Sequence, residues 1–327
     1  MEPQRRTKAR RRELSGEYIP KQHILHFYRS TNSDYPYKKE YQIFLFFAII
    51  LSMKKHEKID ILFEDEYLCV INKSEGILSV SNHSKEKSAL SLLEEIMRKN
   101  GTYSAKHRPF AVHRLDRETS GVMMFALSEA AQKKIMDGWH KIVTERLYRA
   151  VAENPKSKQK MLPLSGLIDD NLAFNAYNIG FVPQKDQKVP ETVPARTNFT
   201  TILKGKTHTL FELSLDTGKK NQIRAHLASK GYPLAGDKNY RARTDNFDRL
   251  CLHARTLEFT HPFTNKKMRF EVAEPAEWKI YVEKGDLHPK TPSWAEQPKT
   301  ESFSLGRKRL SAKDKAHMNF IEQGKLR

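Results

Sequence analysis

The stretch from Ala111 to Ser128, AVHRLDRETSGVMMFALS, sets a charged loop against a strand. His113, Arg114, Asp116 and Arg117 fall within five positions. The turn residues Glu118-Thr119-Ser120-Gly121 follow, and then an apolar run of strand length from Val122 to Leu127. Phe110 to Val112 leads in as a strand. The loop between presents one carboxylate among guanidiniums, which favour the ionised acid. Such a pair taken alone is most often a surface ion pair closing a turn. The rest of the chain decides its use.

Outward from this loop the pattern alternates between strands and a few helices. Ile59–Phe63 and Tyr67–Asn72 are β-rich runs split by the acidic turn Glu64-Asp65-Glu66, and Ile77–Val80 resumes the strand pattern. Ser88 caps a predicted helix to Lys99 with Ala89, Leu92, Leu93, Ile96 and Met97 on one face, stopped by Asn100-Gly101. Ser128 caps a second to Lys141 with the stripe Ala131, Ile135, Trp139, Ile142. Glu145–Val151 is strand-like, with Tyr148 on one face and Leu147, Arg149 and Val151 on the other. Residues 153–195 read as long loops with brief strands such as Leu164–Ile168. Arg196–Leu203 and Thr207–Ser214 read as paired strands, Gln222–Lys230 as a short helix, and Arg249–Phe259 with Lys266–Val272 as a last hairpin. Many strands on short turns against three or four helices predict an α+β fold with a mixed, mainly antiparallel central sheet and flanking helices. No Gly-rich loop joins a strand to a helix, so nothing supports a dinucleotide or P-loop site.

The chain carries 58 Lys and Arg against 39 Asp and Glu, a net charge of +19. That favours a polyanionic partner, nucleic acid before an anionic membrane. Cys69 and Cys251 sit in apolar runs and read as reduced thiols of a cytoplasmic protein. The apolar run Ile43–Leu51 is too short to span a bilayer, which takes about 20 helical residues. Residues 1–55 form a non-core extension. It is read as a mis-called start ahead of Met53, an RNA-binding arm or a membrane-surface anchor. Residues 56–283 form the catalytic domain, and 284–327 a basic tail expected to be disordered. No long apolar surface strip appears, so a monomer is expected.

Three further stretches could meet Asp116. Thr217–Leu227 (TGKKNQIRAHL) is a basic turn entering a helix, a seat for phosphate, with Arg224 one turn in and able to point at a carboxylate. Tyr148, otherwise a core tyrosine, could stack on an unstacked base. The histidines His107, His113, His226, His253 and His261 lack ligand spacing, so no metal site is expected. One carboxylate with an Arg partner can act as nucleophile or base and needs no cofactor.

Ile59–Trp278 resembles the RluA-type RNA pseudouridine synthases. The HRLD-x-x-TSG signature is unbroken from His113 to Gly121. QIR-x-H-L follows a basic turn at Gln222–Leu227, and GYPLAGDKNY continues it from Gly231 to Tyr240. ERLYRAV resembles the strand bearing the family's active-site tyrosine, and RLCLHARTLEFTHP its closing hairpin. Two positions depart: Ser74 stands where the family's N-K-P-x-G usually has Pro, and Asn221 where it often has His. Both bear on substrate choice more than on activity.

The resemblance implies an enzyme that isomerises a uridine of RNA to its C-glycoside without cofactor or metal. It implies Asp116 as catalytic carboxylate, Arg224 as its partner and Tyr148 as the third catalytic residue, stacked on the flipped base and able to take part in proton removal at C5. His113, Arg114, Arg117, Lys219, Lys220, Gln222 and Leu227 are implied to meet substrate. The partner expected is structured rRNA or tRNA, a stem-loop, because extruding a base costs least in a loop. The rival class is a non-catalytic RNA-binding or ribosome-assembly protein on the same fold.

Overall fold

The computed structural model describes residues 59–81, 86–157 and 161–285, and the expectations for residues 1–55 and for the tail beyond 285 lie outside them. Twelve strands appear among these residues: β1 (Ile59–Glu64), β2 (Leu68–Lys73), β3 (Phe110–Ala111), β4 (Ser120–Ala126), β5 (Val143–Glu153), β6 (Ser165–Asp169), β7 (Ala173–Phe174), β8 (Gly180–Phe181), β9 (Arg196–Lys204), β10 (His208–Leu215), β11 (Leu252–Thr260) and β12 (Lys267–Glu271). The helices are α1 (Ala89–Asn100), α2 (Glu129–Ile142), α3 (Gln222–Ser229) and α4 (Ala276–Lys284).

Ten strands form one sheet in the order β1-β2-β4-β11-β5-β10-β9-β6, with β3 added to β4 and β12 to β11; β7 and β8 pair separately. β4 with β11 is the parallel pair, and the other ladders are antiparallel. The expected mixed, mainly antiparallel sheet is what forms.

The apolar run after the charged loop becomes β4, all seven of whose residues are buried. Successive side chains of a strand point to opposite faces, so a continuous apolar run requires cover on both. Met123 and Phe125 join Ile71, Leu93 and Met97 under α1. Val122 and Met124 join Val70, Ala131 and Ile135 under α2. Each such buried side chain contributes about 1.5–3 kcal/mol. The helices start where their caps predict. Ser88 and Ser91 cap reciprocally, with Gly101 at φ +73° ending α1, and Ser128 Oγ accepts from Ala131 N at 3.2 Å.

Gly121 pins the parallel pair. Its φ is +114°, and a Cβ there would stand 2.1 Å from Ala254 O. No side chain fits between β4 and β11 at that point.

Three local expectations change. Ile77–Val80 forms only an isolated bridge, Leu78 to Ser88: its carbonyls Leu78 O and Ser79 O accept from Ala89 N (2.7 Å) and Leu90 N (3.2 Å) at the start of α1 rather than from a neighbouring strand. The turn before β4 closes at Thr119 N to Asp116 O, 3.1 Å, so Ser120 and Gly121 belong to the strand. The helix α4 was not foreseen. Trp278 and Val282, one turn apart, cover Val151, Leu210 and Cys251 on the sheet face opposite Tyr148.

Candidate active site

The loop 112–119 leaves β3 and enters β4 over the middle of the sheet. Its backbone is fastened from the segment after β2. Lys73, completely buried, donates to Ser74 O (2.9 Å), Ile77 O (2.8 Å) and Arg117 O (3.1 Å), and Gly76 N donates to Arg117 O at 2.9 Å. Burial draws the Lys73 ammonium down to about 7. On the exit side, Ser120 Oγ meets His253 Nδ1 at 2.8 Å, and His253 Nε2 faces Val272 O at 2.9 Å. A carbonyl partner requires the proton on Nε2, so Nδ1 accepts from Ser120. Arg249 Nη2 also donates to Ser120 Oγ (2.7 Å) while Nη1 holds Glu75 (2.9 Å). Asp116 is therefore carried on a loop tied at both ends.

Asp116 Oδ2 accepts from Arg224 Nη1 at 3.2 Å and from Asn221 Nδ2 at 2.7 Å. Arg224 is held in turn by Asp237, Nε to Oδ2 at 2.7 Å and Nη2 to Oδ1 at 2.8 Å. Side-chain exposure is 23% for Asp116, 5% for Arg224 and 0% for Asp237. Asp116 is the most exposed of the three. Although burial opposes its charge, the Asp237 bond and the charges of both acids push Arg224 above its ordinary range. It stays a cation beside Asp116 at any working pH.

Above this pair opens a cavity of about 580 Å³, lined by Asp116, Arg224, Tyr148, Ile223 and Leu252 among others. Tyr148 sits on β5 between Leu213 of β10 and Ala254 of β11. Burial raises its hydroxyl above the usual range against the opposing Arg146 charge, and Asp116 adds to the rise. The ring enters the cavity as a neutral phenol. Among the described residues no group of three His, Cys, Asp or Glu could hold a metal, and no helix is long and apolar enough to cross a membrane.

A carboxylate, its buried guanidinium and a phenol on one cavity floor are what the loop and strand signatures predict together. The family model for RNA pseudouridylate synthase matches residues 67–229. The chain is 32% identical over 229 residues, 69% of itself and 72% of the relative, to the uncharacterized RNA pseudouridine synthase YhcT of Bacillus subtilis. It is 33% identical over 222 residues, 65% of itself and 91% of the relative, to the dual-specificity RNA pseudouridine synthase RluA of Haemophilus influenzae. The chain belongs to the RNA pseudouridylate synthase family, of the RluA type. That makes it an isomerase. The fold agrees: human RNA pseudouridylate synthase domain containing 1 superposes with a TM-score of 0.54 at 18% identity, covering 81% of this chain and 95% of that one.

The synthase brings most of the expected site residues to the cavity, though not all in the expected way. Arg114, Lys219 and Lys220 are exposed on its wall. His113 lines it too. Its Nε2 accepts from Met124 N at 2.9 Å, so the proton rests on Nδ1. Burial, helped by the Arg146 charge, holds it down at about 3. His113 is a neutral wall, unable to act as an acid.

Three residues are corrected. Arg117 turns its side chain to Glu86 at 2.5 Å and does not line the cavity, and its carbonyl is what serves the loop. Gln222 has no group left for substrate. Its Oε1 accepts from Thr217 Oγ1 and Lys219 N, and its Nε2 donates to Arg196 O and Thr197 Oγ1, which shapes the basic turn. Leu227 is completely buried in the core under Tyr148, on the face of α3 turned into the sheet. Ile223, one turn earlier, lines the cavity in its place.

Two residues of the site were not foreseen as such: Asn221 was read as bearing on substrate choice rather than activity, and Asp237 was not singled out. Asn221 stands at φ +56° ahead of α3, a left-handed conformation that Asn tolerates better than most, and there its amide faces Asp116. Asp237 is the single acid of GYPLAGDKNY. An Asp isolated in a motif beside a buried Arg was the available signal.

Proposed function

We propose that this synthase isomerises a specific uridine in a stem-loop of rRNA or tRNA, with Asp116 as the catalytic carboxylate. The reading is carried by one observation, the contact of Asp116 with Arg224 in the lining of a cavity of about 580 Å³ that also holds Tyr148. In the reaction the N1–C1′ bond breaks, the uracil turns in place, and a C5–C1′ bond forms. C5 gives up its proton and N1 gains one, so the net change is an isomerisation without external oxidant or reductant.

Asp116 is suited to the bond exchange at ribose, and Arg224 sets a fixed positive charge against it on the cavity floor. Tyr148 stacks on the turning base, with its hydroxyl on the same cavity floor as Asp116. Arg114, Lys219 and Lys220 supply positive charge for the phosphates around the extruded residue. We take the protein to act as a cytoplasmic monomer. Its two cysteines are buried free thiols, in keeping with a reducing compartment.

The test is pseudouridine mapping of total RNA from cells lacking the protein, from the parent, and from cells complemented with wild type or Asp116→Asn. Wild type is expected to restore the sites lost on deletion, and the Asn variant to restore none. Restoration by the Asn variant would remove Asp116 from the chemistry.

A further inference from the structure

Most arginines near the sheet are matched with acids: Arg149 with Glu212, Arg224 with Asp237, Arg249 with Glu75, Arg269 with Glu145. Arg146 is different. Among the described residues no carboxylate pairs with it, and its hydrogen bond runs from Nη2 to Leu215 O at 3.0 Å. It lies two residues before Tyr148 on β5, hence on the same face. The turn after β10 is shaped around its guanidinium, for a Cβ on Gly218 would stand 3.0 Å from Arg146 Nη1.

Arg146 also marks a junction. It lines the main cavity and a smaller one of about 200 Å³ beside it, as do Trp139, His140 and Leu215. The acids of the smaller cavity are matched elsewhere, Glu145 with Arg269 at 2.5 Å and Asp216 with Arg196 at 3.3 Å. They leave the Arg146 charge uncancelled. Trp139 is half-exposed there, its ring 5.0 Å from that of His113 and 5.9 Å from the Arg146 guanidinium.

An uncancelled guanidinium between two cavities that share a wall of tryptophan and histidine has the chemistry of a single-stranded RNA track. The fork of Arg suits a phosphodiester, and aromatic rings take unstacked bases. We infer that the smaller cavity is a second nucleotide subsite. It receives the residue adjacent in the RNA to the one over Asp116, against Trp139 and His140, while Arg146 grips the phosphate that joins them. The inference rests on the function proposed above and names how the same cleft reads the flanking nucleotide.

The probe is a short single-stranded oligouridylate bound to the full-length protein, followed by tryptophan fluorescence across a salt series. Of the three tryptophans Trp278 is wholly buried, so in a Trp294→Phe background quenching on binding is expected to be lost largely in Trp139→Phe. Arg146→Ala is expected to weaken binding about tenfold and to flatten the slope of log Kd against log salt by ~0.7, one single-strand phosphate. Arg146→Lys is expected to recover the slope but not all the affinity, which also shows that the variant folds.

An unchanged slope in Arg146→Ala overturns the inference, and so does undiminished quenching in Trp139→Phe. Loss of product with KM and slope intact would overturn it too, placing Arg146 in the chemistry through Tyr148. If quenching and slope behave as expected while no pseudouridine is made in any cellular RNA, the subsite stands and the enzymatic reading falls.

Discussion

Arg224 gives Asp237 two hydrogen bonds, from Nε at 2.7 Å and Nη2 at 2.8 Å, and Asp116 only one, from Nη1 at 3.2 Å. The buried acid sets the plane of the guanidinium, and the exposed acid receives a donor already aimed. Asp237 is thereby a positioning residue. Asp237→Asn keeps the shape but removes one of the two charges that answer Arg224. Breaking a buried pair this way costs about 3–5 kcal/mol, to be read by chemical denaturation. Because misplacement by about 1 Å can cost a hundredfold in rate, kcat on RNA from a deletion strain is expected to fall at least tenfold. A variant with full kcat would show that Asp116 needs no aimed partner.

Asp116 itself is expected to matter to the reaction and little to RNA affinity. Phosphate contacts dominate binding, and Asp116 makes none. Asp116→Asn is expected to yield no detectable pseudouridine while Kd for RNA moves by less than about tenfold, ~1.4 kcal/mol. Filter binding beside product mapping separates the two effects.

Lys73 fastens the loop without touching the cavity. Lys73→Met fills similar volume yet takes the ammonium from three carbonyls; Arg117 O keeps Gly76 N, while those of Ser74 and Ile77 lose their donor. Each unsatisfied buried group costs about 1–3 kcal/mol. The variant should melt well below wild type, and at a temperature where it is still folded its kcat should fall more than its KM changes.

Acid should weaken the fold through its buried histidines. Burial lowers His113 to about 3 and lowers His226 and His253 as well. Below the ordinary histidine value of about 6.5 the unfolded chain takes up protons that the folded chain refuses. Stability is therefore intact above that pH and falls as pH drops, by at most about 1.4 kcal/mol per pH unit for each histidine. Denaturant midpoints at pH 7.5 and pH 5 measure it. Equal midpoints would show that these rings are charged in the folded state.

Product formation is expected to continue in EDTA, since the proposed chemistry runs through Asp116 and Arg224 alone. Loss of activity on chelation, restored by added divalent ions, would point to a metal-dependent route.

What the sequence determined here is local. Ser88 and Ser128 cap their helices within three residues, and the apolar run after the charged loop announces a strand covered on both faces. Asp116, Tyr148 and Arg224 were legible because each lies in a motif of characteristic spacing. Only the tertiary structure decided which neighbours complete them. Helical period says that Ile223 and Leu227 share a face and both pack in the core, but packing on the sheet decides that of the two Ile223 also reaches the cavity wall. The amide of Gln222 and the side chain of Arg117 look free in sequence and are taken up in the fold by Arg196, Thr197, Thr217, Lys219 and Glu86. Asn221 and Asp116 meet across 105 positions, and Lys73 and Arg117 across 44. A buried polar group takes whatever partner chain closure brings within about 3 Å, and that choice is made by the assembled sheet rather than by neighbours along the chain.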